Sequence, residues 1–139
     1  IGYGKEKRSI RDKFIAMGAG SKNRKGWEEL FFKGDSTVPL LKENIGEYST
    51  VLEMVRLAPS ASNLQPWRII KQDNYYHFFL DSNNLYKKIL GNIDLQKIDM
   101  GIAICHFQKT ANYIGLNGEW QENKPEISED WEYIISWNT

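Results

Sequence analysis

The sequence contains little that could form a disulfide, a zinc site or a membrane span. Cys105 is the single cysteine, and the two histidines, His77 and His106, are far apart along the chain. One cysteine excludes an internal disulfide, and these side chains lack the spacing of zinc ligands. No apolar run approaches the ~20 residues of a membrane helix. We therefore expect a protein of the reducing cytoplasm that binds neither a metal nor a membrane.

Net charge is absent as well. Eighteen basic and eighteen acidic residues cancel at pH 7, so the chain lacks the positive field on which general nucleic-acid binding depends. Hydrophobic residues make up 41% and aromatic residues 13% of the sequence, which is typical of a folded protein with a well-filled core. The 139 residues are enough for one domain and too few for two. The chain begins with Ile1, and we expect it to be a fragment.

Helical periodicity marks several segments. Apolar residues recur at three- and four-residue steps over residues 45–55, which predicts an amphipathic helix that Asn44 caps and Pro59 ends. The longest helical pattern, residues 95–118, is apolar almost all round near its middle and is closed by glycines. That profile is typical of a buried central helix. A shorter helix is predicted over residues 82–90.

Strand patterns alternate irregularly with these helices. Residues 67–71 and 75–80 are rich in aromatic and branched side chains and flank a short polar turn, which predicts a hairpin. Residues 131–137 predict another strand. Its large side chains would share one face, and these are Trp131, Tyr133, Ile135 and Trp137. The mixture favours an α+β domain over residues 1–139, with the central helix packed against an antiparallel or mixed sheet.

Two side chains of the long helix could be taken for redox or acid–base groups. Cys105 and His106 are neighbours near its middle. Because a free cysteine usually behaves as a small hydrophobe, we expect both to be core groups.

Residues 58–70, APSASNLQPWRII, place two serines, an asparagine and a glutamine between a helix and a strand. Neither Ser60 nor Ser62 stands in the glycine-flanked elbow of a serine hydrolase. A dinucleotide-binding loop would follow a strand, whereas the glycine-rich residues 18–26 follow no clear strand. Two interpretations stay open. The polar side chains support the turn, or they bind a flat heterocycle with alternating donors and acceptors.

The same stretch resembles the Pro-Ser-x-x-Asn-x-Gln-Pro-Trp motif of the flavin-dependent nitroreductase family. Residues 99–120, DMGIAICHFQKTANYIGLNGEW, are similar to that family's long central helix and the glycines that follow it. The likeness is greatest to the C-terminal part of longer chains in one branch of the family. It implies the family's fold and an oxidoreductase that uses FMN to pass reducing equivalents from NAD(P)H to a nitroaromatic or quinone.

The resemblance also implies a cofactor site. The residues expected to contact FMN are Pro59, Ser60, Asn63 and Gln65 from the motif and Lys7, Arg8, Arg11 and Arg24 from basic segments. Ser60 and Asn63 would meet the polar edge of the isoalloxazine, while Pro59 and Gln65 shape the turn. Arg8 is the first candidate for contact with the FMN phosphate, because a guanidinium fork matches phosphate better than an ammonium does. The flavin would carry the chemistry, so no catalytic side chain is assigned.

The basic run near the start has two family likenesses. KRSIR, residues 7–11, resembles the Arg-Arg-Ser-x-Arg segment with which the family usually opens. IGYGKEKR, residues 1–8, resembles a glycine-tyrosine turn near a nitroreductase C terminus, and its place ahead of the Pro-Ser motif favours this second likeness. It implies a tandem, pseudo-dimeric chain whose N-terminal half lies upstream, with FMN between the halves.

The large apolar groups of WEELFF, residues 27–32, and of residues 131–137 exceed what a small monomer covers easily. We therefore expect a tight homodimer or association with the missing N-terminal half. A chain of the same fold could instead serve as a non-catalytic flavin-binding or assembly domain.

Overall fold

The computed structural model describes residues 24–82, 95–127 and 129–139. Within these ranges helix α1 spans Tyr48–Leu57 and helix α2 spans Leu95–Tyr113. The strands are β1 Phe31–Lys33, β2 Trp67–Gln72, β3 Tyr75–Leu80, β4 Glu119–Gln121 and β5 Glu132–Asn138. Three 3₁₀ turns span Trp27–Glu29, Lys42–Asn44 and Ala61–Asn63. No helix of the described part is long and apolar enough to cross a membrane.

The strands form one mixed sheet in the order β1-β2-β3-β5-β4. β1 is parallel to β2, whereas the other neighbours are antiparallel. β2 and β3 form the predicted hairpin, with Trp67 opposite Leu80 and Gln72 opposite Tyr75 at its two ends. The predicted α+β class is therefore confirmed. β1 was not predicted, because three residues are too few to show an alternating pattern.

Both helices pack against one face of the sheet. Their buried residues include Val51, Leu52 and Val55 of α1 and Met100, Ala103 and Phe107 of α2. Phe107 lies at the centre of an aromatic group, with its ring 5.2 Å from Phe78 and 5.6 Å from Trp137. The opposite face of the sheet has a smaller apolar cluster of Phe32, Ile70 and Phe79, against which Ile127, Trp131 and Tyr133 of the β4–β5 connection and β5 pack.

A β-bulge divides the side chains of β5 differently from the prediction. Opposite Phe78 and Phe79 the register shifts, so that Ile135 pairs with Phe78 but Tyr133 pairs with Phe79. The extra residue rotates the strand. Tyr133 therefore lies with the smaller cluster, while Trp137 belongs to the main core. The prediction that Trp131, Tyr133, Ile135 and Trp137 share one face was wrong.

Helix α1 begins later than predicted. Asn44 is the last residue of a 3₁₀ turn and does not cap α1, which begins at Tyr48 after Glu47. Gly46 separates the two elements with a φ of 52°, a backbone conformation that glycine adopts at little cost. The predicted end is confirmed, because α1 stops at Leu57, two residues before Pro59.

Helix α2 confirms the longest predicted helix and ends in a Schellman motif. Gly115 has a φ of 81°, its N–H donates to the Asn112 carbonyl, and the Leu116 N–H donates to the Ala111 carbonyl at 2.9 Å. The helix is not buried all round. Cys105 is exposed, which corrects the expectation that it is a core group.

The remaining predicted elements lie outside the residues that the structure describes. The short helix predicted over residues 82–90 lies there except for Ser82, and so do residues 1–23 with their basic run.

Candidate functional site

The Pro-Ser loop, residues 58–66, connects the end of α1 to the start of β2. Its turn is closed by three hydrogen bonds. The Asn63 N–H donates to the Ser60 carbonyl at 3.0 Å, the Leu64 N–H donates to the Ala61 carbonyl at 3.2 Å, and the Gln65 N–H donates to the Ser60 hydroxyl oxygen at 3.0 Å. Ser60 and Asn63 are half-buried. The loop is thus a defined structure in which the Ser60 and Asn63 side chains are partly accessible.

Three residues of the loop have left-handed backbone conformations. The φ angles are 52° at Ser62, 54° at Asn63 and 46° at Gln65. Such angles are uncommon for residues other than glycine, and they concentrate at binding and catalytic sites. Asparagine tolerates them well, whereas serine and glutamine do so less readily. A plain helix-to-strand connection does not need this arrangement.

Asp99 of helix α2 anchors the loop through a hydrogen bond to its backbone. Both of its carboxylate oxygens accept from the Ala61 N–H, at 3.0 and 3.1 Å. The side chain is buried, and this burial raises the pKa of Asp99 while the Ala61 N–H partly offsets the rise. The central helix and the loop are therefore joined by a charge-assisted hydrogen bond.

Gln65 is a buried link between three segments. It is fully buried, its Nε2 donates to the Arg56 carbonyl at 2.7 Å, and its Oε1 accepts from the Lys25 N–H at 2.6 Å. These bonds join the loop to the end of α1 and to the segment before β1. The side chain of Gln65 thus shapes the turn from inside.

Arg24 lies beside the same loop. Its Nη1 donates to the Ala58 carbonyl at 2.8 Å and to the Arg56 carbonyl at 3.3 Å. These carbonyls belong to the C-terminal end of α1, where the helix dipole favours a cation. Nη1 of the guanidinium therefore stabilises the end of α1, and its hydrogen bonds hold the group close to the loop.

A buried arginine follows the motif directly. Arg68 is 7% exposed, and its Nη1 donates to the carbonyls of Gln65 and Trp67 at 3.1 and 2.7 Å. Its Nη2 forms an ion pair with Asp81 at 2.7 Å. Burial lowers the pKa of Lys25 and the charge of Arg68 lowers it further, while Asp81 and Glu29 act in the opposite direction. Charges of both signs therefore lie next to the Pro-Ser loop.

Two buried polar side chains of this region have no partner in the part of the chain that the structure describes. Within the described ranges, neither the nitrogen nor the oxygen of the Gln96 amide has a hydrogen bond, and the same is true of the Trp67 Nε1. Gln96 is 2% exposed and lies in the first turn of α2, three residues before Asp99. Residues spaced by three share a face of a helix. The unmatched amide is thus near the face that supports the loop.

The structure brings together five of the eight predicted cofactor-contacting residues. Ser60, Asn63 and Gln65 form the loop with the exposed Pro59, and Arg24 lies against it. Lys7, Arg8 and Arg11 lie outside the described residues.

Sequence interpretation missed Asp99, Arg68 and Lys25 as residues of this site. Asp99 and Arg68 stand inside the two stretches that carried the family likeness, so that likeness could have identified them. Lys25 gave no signal, since only the folded chain places it beside Arg68.

Comparison with known proteins identifies the family. A family model described as "Putative TM nitroreductase" matches residues 1–111. The chain belongs to this nitroreductase family. A solved structure from Thermotoga maritima, titled as a putative nitroreductase, matches with a TM-score of 0.56 at 21% sequence identity. At that identity the likeness concerns the fold. A search of the curated proteins finds no match.

The nitroreductase match differs greatly in coverage between the two chains. It covers 84% of this chain and 42% of the Thermotoga maritima chain. The present chain thus corresponds to less than half of the structure that it resembles.

Proposed function

We propose that this chain binds FMN through the Pro-Ser loop and forms part of an oxidoreductase of nitroreductase type. The observation that carries the proposal is the loop itself. It has three left-handed residues in a row of four, a buried carboxylate that holds it, and half-buried Ser60 and Asn63 at its surface. When bound, FMN would supply the transfer of reducing equivalents from NAD(P)H to a nitroaromatic or quinone acceptor.

The donor set of the loop fits a flavin. The Ser60 hydroxyl oxygen accepts from the Gln65 N–H, and its own proton remains for an acceptor on a ligand. Asn63 offers both a donor and an acceptor, as the alternating carbonyl and N–H groups of an isoalloxazine edge require. The unmatched amide of Gln96 lies one turn from the carboxylate that supports the loop. These groups would orient the ring.

The cations next to the loop fit a phosphate group. Arg24 is fixed beside the loop by one guanidinium nitrogen, and Lys25 adjoins the buried Arg68. A phosphate near Arg24 and Lys25 would add to the negative charge that Asp81 and Glu29 already supply there. Lys7, Arg8 and Arg11 would add further phosphate contacts from the basic run.

The incomplete coverage of the matched structure favours a second candidate function. A chain that spans 42% of that structure could bind flavin, or serve in assembly, without redox turnover. In either case we propose that the functional unit includes a second copy of the chain or an upstream N-terminal half, and that it acts in the cytoplasm.

Colour and bleaching test these proposals. The purified protein is incubated with FMN, desalted and examined for flavin absorbance, and NAD(P)H is then added without oxygen. Retained absorbance that bleaches supports the oxidoreductase, and bleached protein that is reoxidised by a quinone or nitroaromatic supports the acceptor class. Retained absorbance that does not bleach favours the binding domain. Protein that loses all FMN on desalting would contradict flavin binding.

A further inference from the structure

The face of the sheet away from the helices contains a buried histidine. His77 is 2% exposed, and its Nδ1 lies 2.7 Å from the Ser136 hydroxyl on the neighbouring strand. Ser136 also contacts the Tyr133 hydroxyl at 2.8 Å and the Asn123 carbonyl at 2.9 Å. The β5 bulge makes this network possible. In a regular strand Tyr133 and Ser136, three residues apart, would lie on opposite faces.

The hydrogen bonds of this network fix the state of the imidazole. The Asn123 carbonyl can only accept, so Ser136 donates to it. Tyr133 accepts from the Asn123 N–H at 2.9 Å and donates to Ser136, the closer of its two oxygen neighbours. Ser136 then accepts from His77, whose Nδ1 must carry the proton. In a neutral ring this leaves Nε2 as an acceptor, and burial lowers the pKa of His77, which favours the neutral ring.

A pocket of about 310 Å³ adjoins this ring, between the β2–β3 turn and the β4–β5 connection. Asp73 and Glu126 are among its lining residues, and within the described ranges neither forms an ion pair. Tyr75 is also in the lining and stacks on His77, with the ring centroids 5.5 Å apart and the planes inclined by 18°. Lys71 is the neighbouring cation, and its Nζ donates to the backbone carbonyl of Asp73.

We propose that this pocket binds a small organic cation rich in N–H donors, of the guanidinium class. Its charged lining groups, Asp73 and Glu126, are acceptors, and the imidazole is fixed so that its remaining nitrogen is an acceptor too. Within the described residues these two carboxylates form no ion pair, which favours a cation, and charge-assisted hydrogen bonds to them are strong. The ring of Tyr75, which is part of the lining, offers an aromatic surface to a planar cation. None of these residues belongs to the Pro-Ser loop, so the site is independent of flavin.

Titration with methylguanidinium tests this site, and tetramethylammonium is the control because it has the same charge and no N–H donor. The ¹⁵N resonances of the His77 ring are followed, with His106→Gln used to assign them. We expect methylguanidinium to shift the Nε2 resonance saturably and tetramethylammonium to shift it little. Glu126→Gln removes one charged acceptor and should weaken binding about tenfold or more. Glu122→Gln removes an exposed charge from the same connection, outside the lining, and should leave affinity unchanged.

Several outcomes would overturn the proposal. Equal saturable shifts with both cations would show that charge alone is sensed. Equal weakening in Glu126→Gln and Glu122→Gln would show a diffuse effect of the acidic surface. The absence of a saturable His77 shift with methylguanidinium, in protein whose amide spectrum is that of a folded chain, would exclude the site.

Discussion

At the scale of single residues, the support of the Pro-Ser loop depends on Asp99. Asp99→Ala removes the acceptor of the Ala61 N–H and should lower the free energy of unfolding by about 1–3 kcal/mol. Asp99→Asn is the matched control, because its amide oxygen can still accept from that N–H. Urea unfolding of both variants at pH 7 measures the difference. Equal losses would contradict the role of this hydrogen bond.

The same carboxylate predicts a pH dependence. Burial raises the pKa of Asp99 above its ordinary value of 3.8, so the folded state binds the proton more tightly than the unfolded state. The stability from this group is therefore complete below about pH 3.8 and is lost as pH rises through the folded-state pKa. The Asp99→Asn variant carries an amide there, which does not titrate. The stability of that variant relative to wild type should increase from acid to neutral pH, and a constant difference would contradict the shift.

His77 should show the opposite sign. Burial lowers its pKa below the ordinary value of 6.5, with a further lowering by Lys71 and opposing effects of the Asn123 backbone and Asp73. The unfolded state then binds the proton more tightly. Stability from this group is present above pH 6.5 and is lost as pH falls through the folded-state pKa. His77→Gln should flatten urea stability against pH on the acid side, and parallel curves for variant and wild type would contradict this.

At the scale of secondary-structure elements, alanine at Gly101 within α2 and alanine at Gly115 after its C terminus should change the free energy of unfolding in opposite directions. Gly115 has a φ of 81°, and a side chain there should cost about 1–2 kcal/mol. Gly101 lies within α2, and an added Cβ would meet no atom within 4 Å. Gly101→Ala should therefore raise the free energy of unfolding by about 0.5–1 kcal/mol. Thermal or urea unfolding measures both, and a loss in Gly101→Ala would show that its exposed face is constrained.

Periodicity predicted the elements whose side-chain pattern is long and regular. The 19 residues of α2 and the two six-residue strands of the hairpin show their patterns clearly. β1 has three residues and no readable period. The bulge in β5 changes the face of Tyr133 without any signature in the residues themselves, because it depends on pairing with β3. Asn44 is a residue type that caps helices well, but Gly46, with its positive φ, separates the 3₁₀ turn that contains Asn44 from α1.

At the scale of the whole molecule, the large apolar groups expected at a partner surface are mostly inside the chain. Phe31, Phe32 and Trp137 are buried, and Trp27 packs against the main core. The sequence could not separate the two cases, since a large apolar residue serves a core or an interface equally well. In the described part, the large hydrophobics that remain exposed are Val38, Leu41, Leu57, Ile98 and Tyr113.

We still predict that the protein associates, with a second copy or with an upstream half, because the matched structure is more than twice as long as the part covered here. The surface of α2 that includes Ile98, Gly101 and Cys105 is exposed in the single chain. Light scattering at micromolar concentration should show a mass above that of one chain. A stable, folded monomer would contradict the prediction of a homodimer.

The cofactor role of the Pro-Ser loop is tested most directly by FMN titration of Asn63→Gly beside wild type. Glycine suits the φ of 54° at this position and removes the amide, so that binding is changed without strain in the turn. Ser62→Gly makes the same backbone change at a φ of 52° and is the control. Urea unfolding of the three proteins without FMN shows whether the turn is intact.

We predict that Asn63→Gly weakens FMN binding by about 1–3 kcal/mol, or roughly 5- to 150-fold. Ser62→Gly should bind FMN as wild type does. Equal FMN affinities of wild type and Asn63→Gly would contradict the assignment of Asn63, and the absence of saturable FMN binding to the wild type would contradict the flavin site.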